Sequence, residues 1–278
     1  MHRITVPAPA KLNLFLHVTG RRADGHHLLE TLLVAIDTGD TITLARRDDG
    51  AIERTTELAG VAPGDDLAVR AAAALKTETG STFGVDIALT KRVPLGSGMG
   101  GGSSDAASVL LALNRLWGAN LPRAELMRIG VALGADVPFF LQGEPALARG
   151  IGERLTPVTL PPLWIAVIVP PISVATAPIF AAPELTRNSA SVKMEVFSEG
   201  YGRNDLQAVA ASRFPDIAVA LRGLGEHSPH ARMTGSGSCV FAPFVSESAA
   251  RAAVDTRPPD MRGFVARTLA RHPLAAFA

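Results

Sequence analysis

Apolar and polar positions along the 278-residue chain change period several times, and each change marks an element. Ile4-Thr5-Val6 and then Lys11 to Val18 alternate in the manner of strands, with a proline-containing turn predicted between them. Asp24-Gly25-His26-His27 reads as a turn, followed by an extended run from Leu28 to Ile36 and another from Thr41 to Ala45. Alanine-rich helical spacing covers Leu67 to Thr77, and alternation returns over Val85 to Thr90. Next comes a helix from Ser103 or Ser104 to Trp117, with a serine as cap and Gly118 as stop. A further helix is expected between Pro122 and Leu133, ended by Gly134. Between Pro161-Pro162 and Pro170-Pro171 lies a short apolar run, which reads as a buried strand. Later strands are expected around Met233 and over Cys239 to Phe244. The mixture predicts an α+β or α/β enzyme whose topology the element order leaves open. The proline-rich stretch near 157–162 divides it into domains at 1–157 and 158–278.

Composition narrows the class. With 47% hydrophobic and 19% charged residues the chain is expected to be globular and soluble. A formal charge of +1 offers no reason to expect nucleic acid or an anionic membrane as partner. Cys239 is the only cysteine, so no intramolecular disulfide or cysteine-rich metal cluster is available. No stretch has the length of a membrane span or a secretory signal, and a cytoplasmic location is expected.

Chemistry concentrates in Pro94-Leu95-Gly96-Ser97-Gly98-Met99-Gly100-Gly101-Gly102-Ser103-Ser104. Glycine permits close backbone approach, and free amides at the start of the following helix can gather a phosphate. The formal Gly96-x-Gly98-x-x-Gly101 match to a dinucleotide site is weak, because it lies deep in the chain and its glycine density supplies the spacing. The lysine of a P-loop and the protein-kinase signatures are both missing. Lys11 and Asp136 suit a phosphoryl-transfer pair, the carboxylate taking or orienting a hydroxyl proton and the ammonium countering charge. On residue types alone a structural salt bridge, or two unrelated surface charges, is also open. Thr234 to Ser238 reads as a second close-approach loop or a tight turn, and His26-His27 as a surface turn or a hydrogen-bonding site. Cys239 has no neighbour to activate it and reads as a core residue.

Taken together, Pro9-Ala10-Lys11-Leu12-Asn13-Leu14, Arg22 to His27, Pro94 to Ala107, Gly134-Ala135-Asp136-Val137-Pro138-Phe139, Arg203-Asn204-Asp205-Leu206 and Thr234 to Ser238 resemble the GHMP kinase superfamily. Within it, the N-terminal and GADVPFF segments resemble the branch acting on a cytidine-diphosphate-linked methylerythritol. The resemblance implies a ribosomal-protein-S5-like N-terminal domain, a ferredoxin-like C-terminal domain and a catalytic cleft between them. It implies ATP-dependent phosphorylation of the substrate's 2-hydroxyl, with Mg2+ offsetting phosphate charge and no metal ligand assigned. Catalytic roles fall on Lys11 and Asp136, ATP binding on Pro94 to Ser104, and substrate binding on Asn13, His26, His27, Phe180, Asn204 and Asp205. The tyrosine usual before the cytidine-recognising histidine is replaced by His26, which leaves Phe180 as the better stacking surface. Another GHMP kinase activity, or a noncatalytic nucleotide-binding regulator, is the competing reading. A monomer or weak homodimer is expected.

Overall fold

The computed structural model describes residues 2–191 and 202–278. Its first half contains β1 (Arg3–Arg21), β2 (His27–Arg47), β3 (Ile52–Arg54), α1 (Leu67–Thr79), β4 (Gly84–Thr90), α2 (Gly101–Leu116), α3 (Arg123–Leu133), α4 (Val137–Gln142), β5 (Ala146–Gly150) and β6 (Arg154–Pro157). The second half contains β7 (Trp164–Val169), α5 (Thr176–Phe180), α6 (Gln207–Arg213), α7 (Pro215–Gly225), β8 (Arg232–Met233), β9 (Val240–Phe244), α8 (Glu247–Asp255) and β10 (Arg262–Leu269). The junction expected at 157/158 falls after β6.

Instead of two strands and a turn, β1 runs unbroken through Pro7 and Pro9. Among the described strands it pairs only with β2, apart from an isolated bridge of Leu16 to Asn204, so at Pro7 and Pro9 it is an edge, where a missing proline amide costs no ladder bond. The Pro9 and Pro7 carbonyls accept hydroxyl bonds from Ser104 and Ser108 of α2, at 2.6 and 3.1 Å. Register shifts at Pro9/Lys11, Asn13/Phe15 and Val18/Gly20 bend the long hairpin. The two extended runs expected at 28–36 and 41–45 are likewise one strand, β2.

The main sheet path is β3-β4-β2-β10-β7-β9-β8, with β5 and β6 attached to β2. Only a short pairing, Ile36 with Thr268 and Ala35 with Leu269, joins the two halves through β2 and β10. On the first half, α2 is buried along most of its length against α1, α3, α4 and the sheet, through Ala106, Val109, Leu110, Leu111 and Leu113. On the second, α7 and α8 bring Ile217, Ala220, Leu224, Ala250 and Val254 onto Ile168 and Val240. This second core also takes Leu16 and Val18 from β1, so the first strand serves both halves.

The expected serine cap of α2 is corrected by the structure. Gly100 caps the helix from a left-handed conformation (φ 71°), and Ser103 and Ser104 lie inside the first turn. A serine side chain at the cap would fold back on the first amides, whereas Gly100 leaves them open.

Candidate active site

A cleft of about 1020 Å³ lies between the glycine segment, β1, the start of α4 and the α5 region. The glycine segment forms one wall and is tied to both halves. Lys11 N–H donates to the Met99 carbonyl at 2.9 Å, Val174 N–H to Gly96 at 3.1 Å, and Cys239 N–H to Ser97 at 3.1 Å. Gly98 has φ 75°, and a Cβ there would come within 2.1 Å of the Thr234 carbonyl. The close approach of two backbones therefore requires glycine. Ser104 N–H bonds back to Gly100, while the amides of Gly101, Gly102 and Ser103 have no backbone partner among the described residues. Three open donors at the positive end of a 16-residue helix are suited to an anion.

Most of the predicted phosphate residues line this cleft, but two do not. Met99 is buried in the core between strands, and the Ser104 hydroxyl is spent on Pro9. Pro94, Leu95, Gly96, Ser97, Gly98, Gly100, Gly101, Gly102 and Ser103 all face it. Cys239 is buried behind Ser97, and burial pushes its thiol up to about 12, which makes it an inert core residue.

Lys11 and Asp136 meet in this cleft, Nζ to carboxylate oxygen at 3.6 Å. Lys11 is nearly buried and also donates to Asn13 Oδ1 at 2.5 Å. That oxygen receives Gly235 N–H at 3.0 Å, while Asn13 Nδ2 donates to Thr31 Oγ1 at 2.9 Å. Asn13 thus orients Lys11 and ties it to the Thr234 loop. Asp136 stands at the N-cap of α4 but makes no capping bond, and its side chain is 36% exposed. Its carboxylate is left available to a hydroxyl beside the open amides.

At the far end, His27 and Phe180 line the cleft with ring centroids 5.0 Å apart and planes inclined by 32°. Burial, then Arg187 and Arg21, hold the His27 imidazole below its ordinary range. His26 sits in the exposed turn with Nδ1 3.2 Å from Asp24. Asn204 and Asp205 do not line the cleft. Asn204 Nδ2 donates to the Met233 and Gly235 carbonyls, both at 2.8 Å, and so shapes the Thr234 loop from behind. Asp205 accepts Val18 N–H at 2.8 Å and the Ser189 hydroxyl at 2.6 Å, locking β1 to the second half. Both support the site through other residues and touch no part of the cleft surface.

Sequence reasoning missed Lys91, Asp40 and Asp105. The Lys91 ammonium, at the cleft edge, bonds Asp105 at 2.6 Å and also Asp40. Burial raises Asp105 to about 7, against the opposing pull of Lys91. Asp40 also accepts Val93 N–H at 2.9 Å, fixing the approach to the glycine segment. No spacing links these three residues, although the basic pair Lys91-Arg92 just before Pro94 was a visible signal. The Thr234–Ser238 loop and the segment before Phe180, both singled out in the sequence, meet on the opposite wall, where the Thr176 and Ser236 hydroxyls pair at 2.8 Å.

Comparisons with known proteins identify the family. Residues 66–144 match the GHMP kinases N terminal domain, and residues 184–257 match GHMP kinases C terminal. The chain is 56% identical over 277 residues to the 4-diphosphocytidyl-2-C-methyl-D-erythritol kinase of Ralstonia pickettii, covering 98% of this chain and 96% of that protein. It is 54% identical over 271 residues to the same-named protein of Thiobacillus denitrificans, covering 98% and 97%. A crystal structure of 4-(cytidine 5'-diphospho)-2C-methyl-D-erythritol kinase superposes with TM-score 0.84 at 34% identity, covering 95% of this chain and 99% of that one. Homoserine kinase from Cytophaga hutchinsonii shares the fold alone, with TM-score 0.69 at 18% identity over 98% of this chain and 96% of that one.

Proposed function

The chain belongs to the GHMP kinase family, among its 4-diphosphocytidyl-2-C-methyl-D-erythritol kinases, and from that premise we propose how its cleft performs the reaction. The protein catalyses ATP-dependent phosphorylation of the 2-hydroxyl of the cytidine-diphosphate-linked methylerythritol in the non-mevalonate route to isoprenoid precursors. The observation that carries the mechanism is the Lys11–Asp136 pair facing the open amides of α2 within one cleft. ATP fits the glycine wall, because its phosphates need close backbone donors that no side chain obstructs.

Asp136 accepts or aligns the proton of the substrate hydroxyl, and its nearest cation is Lys11. The Lys11 ammonium, held by Asn13, offsets the charge gathering on the transferred phosphoryl oxygens. The amides of Gly101, Gly102 and Ser103 do the same from the other side. No group of three ligating side chains occurs among the described residues. Mg2+ would therefore be carried largely by ATP oxygens and water, with Asp136 and Ser103 among the oxygen-bearing side chains that line the cleft and would meet it. When bound, it neutralises phosphate charge.

His27 and Phe180 receive the cytidine. Their rings already touch, so the base stacks on an open ring face and not between these two. With Mg-ATP, ADP release is expected with the cytidine-diphosphate-linked alcohol and not with mevalonate or homoserine. Robust turnover of either of those, with none of the cytidylyl alcohol, overturns the reading.

A further inference from the structure

Behind the cytidine end of the cleft lies a residue that does not reach the cleft itself. Arg187 donates from Nε to His27 Nε2 at 3.1 Å. Its terminal nitrogens hold the carbonyls of Phe180 at 3.0 Å, Ala182 at 2.6 Å and Leu185 at 3.0 Å. A guanidinium carries donors only, so the Nε2 facing it must present a lone pair. A neutral imidazole with a bare Nε2 carries its hydrogen on Nδ1. Among the described residues, His27 Nδ1 has no hydrogen-bond partner, and the side chain lines the cleft.

We propose that Arg187 is a specificity-determining positioning residue. It fixes His27 as the Nδ1–H tautomer, so that the imidazole offers the substrate's base a donor and no acceptor. Through the Phe180 carbonyl the same guanidinium anchors the ring packed against His27. The identity of the base rests on the function proposed above. Cytosine N3 is a bare acceptor, whereas uracil N3 carries a hydrogen, so a donor-only imidazole favours cytosine over uracil. An untethered histidine could present either nitrogen, and this discrimination would be lost.

Nitrogen-15 NMR of the substrate-free full-length protein, labelled at histidine, reads the tautomer directly. Wild type is expected to show His27 Nε2 unprotonated and Nδ1 protonated. Arg187→Met should move the proton towards Nε2 and raise KM for the cytidylyl alcohol about tenfold, the cost of one misdirected hydrogen bond. KM for ATP should stay unchanged, and discrimination against the uridine analogue should fall. Arg187→Lys, which keeps a donor for Nε2, should recover the wild-type tautomer. A wild-type His27 protonated on Nε2, or an Arg187→Met variant with an unchanged tautomer, overturns the inference whatever the kinetics. The spectra need no substrate, so a protein that ignored the cytidylyl alcohol would fail the functional reading and leave this test intact.

Discussion

Asp136 occupies the N-terminus of α4 without bonding any of its amides, so its carboxylate is left to Lys11 and to substrate. Asp136→Asn keeps the shape and removes the proton acceptor. Single-turnover transfer is expected to slow by about two to four orders of magnitude, with ATP affinity nearly unchanged. Unchanged transfer in rapid-quench experiments would remove Asp136 from the proton's path. Lys11 and Asp136 were legible because each sits in a distinctive string, PAKLNL and GADVPFF. Asn204 and Asp205 were equally visible, yet they act from behind the wall, and no string says which way a side chain points. The pairing of Lys91 with Asp40 and Asp105 was illegible for a different reason: the loop after β4, strand β2 and helix α2 bring it together, and no local period names a partner.

At the scale of elements, α4 was the least legible part of the site. Five apolar residues and Gln142 are too few for a helical period, so the chain after Asp136 offered no helix signal. Yet α4 fixes Asp136, and its far end is clamped. His272 N–H donates to the Gly143 carbonyl at 2.7 Å, and Nδ1 accepts Leu274 N–H at 3.1 Å. Burial, reinforced by Arg123, lowers His272 from 6.5 to about 4. Its folded value lies below the unfolded one, so its stabilising contribution is complete above pH 6.5 and is lost as pH falls towards 4. On the order of 3 kcal/mol is at stake. Thermal melts of wild type should lose stability across that window more steeply than those of His272→Asn. Parallel curves would show that this histidine does not carry the acid sensitivity. The long strands misled in the opposite direction, since prolines that signal a turn are tolerated where an edge strand borrows hydroxyls from α2.

The whole molecule makes its site by bringing two halves to one cleft. β10 returns to β2, Asp205 locks β1, and the glycine wall is bonded to Val174 and Cys239 from the second half. The α+β character was legible from alternating periods, but the order of strands was not, because a return through β10 leaves no local trace. No helix among the described residues is long and apolar enough to cross a membrane. The cleft places His27 and Phe180, the proposed base-recognition end, in one continuous space with Asp136 and the α2 amides. That arrangement suits the proposed reaction, with the substrate held at its nucleotide and phosphorylated at its alcohol. Its most direct test is the position of the new phosphate, read by phosphorus NMR and mass spectrometry after incubation with Mg-ATP and the cytidine-diphosphate-linked methylerythritol. The account predicts one ADP for each product molecule, with the phosphate on the 2-oxygen. Phosphate on a different oxygen, or ADP released with no phosphate transferred to this alcohol, would contradict it.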